Sequence, residues 1–92
     1  MAKILDIKYE TKMPRYRVYF YLENPTIAKY YYDTCLYSVS NEWRSLILYY
    51  KSNKLILDGP IVDKNGSVSN LKKKKVEKVA HMLKKTIQKD TP

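Results

Sequence analysis

The chain has 92 residues, 45% apolar and 29% charged, which suits one globular domain over residues 1–92 and excludes a disordered chain. Its net charge is +9, and residues 71–92 hold eight lysines against Glu77 and Asp90, so +6 of the excess sits at one end. Like charge at that density costs a small fold self-repulsion, and it is the usual footprint of a protein that meets phosphate or another polyanion.

Cys35 is the sole cysteine, which excludes an intrachain disulfide and fits a reducing, cytoplasmic setting (the host cell's, if the protein is viral). Asp6 falls where a signal peptide needs apolar residues, and the apolar runs are far shorter than the roughly 20 residues of a membrane span. The expectation is a soluble protein with no membrane partner. Abundant Lys and Tyr beside two glycines give a composition like that of small basic proteins of archaea and their viruses, with no motif that names a family.

In chain order, residues 3–10 alternate Leu5, Ile7 and Tyr9 with Asp6, Lys8 and Glu10, the period of a half-buried strand. Thr11-Lys12-Met13-Pro14 predicts a hairpin turn. Residues 15–22 form the clearest strand, with Tyr16, Val18, Phe20 and Leu22 on one side and Arg15, Arg17, Tyr19 and Tyr21 on the other. After a turn at Glu23-Asn24-Pro25-Thr26, residues 27–39 read as a third strand bent near Asp33-Thr34, completing an antiparallel meander. Ser40 then reads as the N-cap of a helix, with Glu42 in its first turn, Trp43, Leu46, Ile47 and Tyr50 at helical spacing, and a stop at Ser52-Asn53.

Residues 54–57 predict a short strand ended by Asp58-Gly59-Pro60. Asn65-Gly66, between Val62 and Val68, predicts a two-residue hairpin flanked by two small strands. A last helix, capped by Ser69 or Asn70, runs to Lys89 with Val76, Val79, Ala80, Leu83 and Ile87 in one stripe. The expected fold is α+β: a three-stranded antiparallel meander, a helix, a short strand or hairpin and a C-terminal basic helix, both helices on one sheet face.

Two surfaces carry chemistry. On the last helix Lys74, Lys78 and Lys85 share the outward face, Lys72 and Lys75 flank the apolar seam, and Lys73 joins the run of four at the helix start. Lysines there oppose the helix dipole at about 0.3–1 kcal/mol each, a cost that a bound polyanion offsets. A solvated lysine face is the alternative. The second surface is Arg15, Arg17, Tyr19 and Tyr21, beside Lys8 and, from the third strand, Lys29 and Tyr31. Cations mixed with flat rings suit single-stranded nucleic acid; a protein or dimer contact, or plain sheet stabilisation, are the alternatives.

His81 has no second ligand at metal spacing, Cys35 fits a core position, and the scattered acids make no defensible acid–base pair. Two glycines exclude a glycine-rich phosphate loop. The leading expectation is thus a non-catalytic binder of DNA or RNA with low sequence specificity, with no cofactor or metal. The alternative is a small interaction protein or inhibitor, of viral type, acting on a host nucleic-acid-processing complex. Homodimerisation through the outer sheet face or an edge strand is compatible with both.

Overall fold

The computed structural model describes residues 4–89; Lys3 of the expected first strand and the residues after Lys89 lie outside it. Two strands, β1 (Ile4–Lys12) and β2 (Arg15–Leu22), form the first antiparallel hairpin, turning at a cis Met13–Pro14 bond. As expected, Tyr16, Val18, Phe20 and Leu22 are all buried on one side of β2.

The next segment departs from expectation. Residues 27–39 are helical, inside α1 (Pro25–Glu42). Asn24 is extended and its Oδ1 accepts the Ile27 N–H at 2.9 Å, while Pro25 occupies the first turn, where a missing N–H costs nothing. Ala28, Tyr31, Cys35 and Val39, spaced i, i+3, i+7 and i+11, form the buried stripe. Local strand preference of Tyr, Ile and Val yields here to that cap and to burial of a helical face.

The helix expected from Ser40 is absent. Ser40 lies in the last turns of α1, its Oγ donating to the Leu36 carbonyl at 2.9 Å, and Trp43 ends α1 in extended conformation. Ile47 and Tyr50 belong to a strand, β3 (Ile47–Lys51), which pairs with β4 (Lys54–Pro60). Leu46 and Leu48 are buried and Ile47 is exposed, a period of two rather than 3.6. Ser52-Asn53 is the tight turn between these strands, with Ser52 at φ +55°. Asn53 also receives the Leu22 N–H and donates its side-chain amide to the Leu22 carbonyl, tying the turn to the end of β2.

The sheet is antiparallel throughout, in the order β1-β2-β4-β3. β2 therefore has residues 54–60 as its second neighbour, not residues 27–39, and the element order is β-β-α-β-β-α. The α+β class stands, with two helices packed on the sheet. α1 lies over β3 and β4, and the second helix, α2 (Asn70–Lys89), lies over β4 towards β2 and β1. Between β4 and α2, Val62 and Val68 make a single antiparallel bridge in place of two flanking strands. Its turn is one residue longer than read: Asp63 bonds to both Gly66 and Ser67, and Gly66 takes φ +83°.

Candidate functional site

α2 is built as its sequence reads. Ser69 Oγ accepts from the Lys72 N–H at 3.3 Å, and Val76, Val79, Ala80, Leu83 and Ile87 are buried. Gly59 sets its distance from the sheet: a Cβ there would stand 2.7 Å from Val76 Cγ2 and 2.9 Å from Leu46 Cδ1. With that seam turned inward, Lys74, Lys75, Lys78 and Lys85 are exposed. His81 is exposed too, and at 100° per residue it stands in the Lys74–Lys78–Lys85 stripe.

The run of four lysines at the helix start divides. Lys72 Nζ donates to the Val62 carbonyl at 2.6 Å, Lys73 Nζ stands 5.5 Å from the Tyr16 ring centre, and Lys75 Nζ stands 5.5 Å from that of Trp43. Glu77, the sole acid of the helix, accepts the Tyr16 hydroxyl at 3.0 Å. Burial, then this bond, push the Tyr16 phenol up to about 12. Among the described residues no α2 lysine makes an ion pair, so the outward stripe keeps its full charge.

The second surface lies on the opposite sheet face, away from both helices. Four rows cross it in register: Lys12–Arg15–Pro60, Glu10–Arg17–Asp58–Ile47, Lys8–Tyr19–Ile56–Tyr49 and Asp6–Tyr21–Lys54–Lys51. Both arginines are engaged within the fold. Arg15 Nε donates to Asp58 at 2.7 Å, Arg17 Nε to the other Asp58 oxygen at 3.1 Å, and Arg17 Nη1 reaches Glu10 at 3.4 Å. The hydrogen bond to Asp58 holds the Arg17 pKa above its ordinary value. Tyr19 donates to Glu10 at 3.0 Å, and burial followed by that bond raises its pKa.

Tyr19 and Tyr49 flank Ile56, which is only 3% exposed although it faces away from the helices. Tyr21 is half-buried, with the ammonium groups of Lys8 and Lys54 at 5.4 and 5.8 Å from its ring centre. These two lysines, Glu10, Tyr9, Tyr19 and Tyr21 line a shallow depression of about 490 Å³.

The structure thus gathers Arg15, Arg17, Tyr19 and Tyr21 on one layer and Lys74, Lys75, Lys78 and Lys85 on the other. The two remaining expected members of the sheet surface are not there. Lys29 lies on α1, 2.6 Å from Asp33, and Tyr31 is buried under that helix. Sequence reasoning missed Asp58, which both arginines share. Its signal was a lone carboxylate directly after the apolar run Leu55-Ile56-Leu57, in a chain with an Arg-Tyr-Arg strand.

Cys35 is buried, as its type predicts, and with Val39, Val79 and Leu83 lines a groove of about 230 Å³ between α1 and α2. Among the described residues no group of three His, Cys, Asp or Glu gathers to hold a metal, and no helix is long and apolar enough to cross a membrane. Comparison with protein-family models, curated proteins and solved structures yields no match.

Proposed function

We propose that the chain binds nucleic acid, DNA or RNA, without reading base sequence, through the outer face of α2. The activity is binding, not catalysis. One observation carries this reading: the outward stripe of α2 holds exposed lysines with no carboxylate among them, and the helix's only acid is turned aside to Tyr16. Lys74 to Lys85 spans 11 residues, about 17 Å along the axis at 1.5 Å each, roughly the rise of five base pairs. Straight spacing of that kind suits a phosphate backbone, and the stripe carries no arginine, asparagine or glutamine fork for paired contacts to base edges, only His81 among the lysines.

Binding should therefore fall steeply with salt. About five phosphate contacts give a slope of log affinity against log salt near −4, and replacing Lys74, Lys78 and Lys85 by Gln should shallow it by about 2.7 with the fold retained. Titration of labelled single- and double-stranded DNA and RNA measures this; no binding at low salt, or a slope unchanged in the triple variant, refutes it. Arg15 and Arg17 are already paired with Asp58 and Glu10, so they contribute little on this reading.

A second reading is supported by the aromatic row Tyr19–Ile56–Tyr49, which lies on the layer opposite the lysines: this face docks a protein. Tyr49→Ala and Tyr19→Ala would then abolish capture of that partner while leaving nucleic-acid affinity intact.

A further inference from the structure

β1 is an edge strand, paired only with β2, and its outer rim carries residues 6–12 with Tyr9 at the middle, 56% exposed. Asp6, Lys8, Glu10 and Lys12 alternate in sign along the open face, while Ile7, Tyr9 and Thr11 lie on the helix face. Charges on an edge ordinarily prevent strand addition. Here the order of signs does the reverse for one partner, a second copy of the same strand.

We infer that the protein forms a homodimer by antiparallel pairing of β1 with β1 of a second copy, about a two-fold axis through Tyr9. In that register Asp6 faces Lys12, Lys8 faces Glu10, Ile7 faces Thr11 and Tyr9 faces Tyr9, so all four charges of each strand meet an opposite charge. Centring on Lys8 or Glu10 sets like charges opposite each other. Centring on Ile7 or Thr11 leaves half of the charges without an opposite partner. Glu10 uses Oε1 for Arg17 and Tyr19, which leaves Oε2 for the second copy. The other edge, β3, has Lys51 as its only charge and no such complementarity.

A two-fold normal to the sheet keeps both copies the same way up. Two four-stranded sheets become one of eight strands, and both α2 helices stand on the same side. The pairing does not depend on what α2 binds, and it is tested without nucleic acid. Sedimentation of the purified chain should give about 22 kDa, twice its 10.9 kDa.

Register is tested by cysteine cross-linking. Directly opposed Cβ atoms lie about 4.5–5.5 Å apart, whereas the two Thr11 positions stand four residues out of register, about 14 Å apart. Under mild oxidation Tyr9→Cys should give a covalent dimer, and Thr11→Cys several-fold less. Asp6→Lys should shift the population to monomer, and Asp6→Lys combined with Lys12→Asp should restore the dimer. A chain that sediments as monomer at every concentration, equal cross-linking at positions 9 and 11, or no rescue by the double exchange overturns the inference.

Discussion

Replacing Asp58 by Asn removes the negative charge shared by two guanidinium groups while keeping the side chain's size. The Asp58 side chain is 8% exposed, and its oxygens accept from Arg15 at 2.7 Å and Arg17 at 3.1 Å. Two limits bracket the cost: about 3–5 kcal/mol for breaking a fully buried pair, and at most about 1 kcal/mol for an exposed one. Arg15 and Arg17 are 30% and 26% exposed, so each recovers part of its hydration by turning outward. An asparagine also sets its NH2 against one guanidinium, a donor facing a donor. The expected loss is about 2–3 kcal/mol, intermediate between the limits. For a domain of this size that lowers Tm by roughly 10–20 °C. Urea unfolding by tyrosine and tryptophan fluorescence measures it, with an unchanged m-value showing that only stability moved. A loss below about 0.5 kcal/mol, the scatter of ordinary surface substitutions, would mean that the arginines do not depend on Asp58. The same variant bears on function: it releases two cations on the sheet face, yet binding through α2 requires the salt slope to stay where it was.

Gly59→Ala should cost about 1–3 kcal/mol, since its methyl must displace both Val76 and Leu46; thermal melting reads this, and a neutral result would show that these side chains and α2 can move outward freely. Asn24→Ala should cost about 1 kcal/mol by leaving the Ile27 N–H without its cap, read by urea unfolding, with no loss meaning that α1 starts without help from its side chain. Tyr16 is held neutral, its folded pKa near 12 against an ordinary 10, so its contribution is complete below pH 10 and disappears as pH rises through 12. Tyr16→Phe should be less stable than the natural chain at pH 8, by about 0.5–1.5 kcal/mol for the lost bond. It should also lose less between pH 10 and 12; equal alkaline slopes would show that Glu77 and burial do not hold that proton.

Legibility in the sequence followed how local each signal was. β2 and α2 show strong periods of 2 and 3.6, and both stand where their residues place them. α1 was misread because Tyr30, Tyr31 and Tyr32 obscure its period and favour strands locally, while the decisive signals, Asn24 and Pro25, fit a turn as well as a helix start. Trp43, Leu46, Ile47 and Tyr50 match helical spacing by coincidence, and only pairing with β4 makes Ile47 and Tyr50 part of a strand. The outward lysines were legible because they need only their own helix. The engagement of Arg15 and Arg17 was not, because Asp58 lies 43 and 41 residues further along the chain.

Placing the lysine stripe and the aromatic row on opposite layers has a consequence for orientation. On the proposed function, a chain laid on phosphate by α2 would turn Tyr19 and Tyr49, with Ile56 covered between them, away from the strand, and neighbouring molecules on one strand would all do so. A strand covered in that way would no longer meet its surroundings as a polyanion: it would present tyrosine rings and a sheet face of six cations against three carboxylates, so that whatever approaches next would meet protein chemistry instead of phosphate.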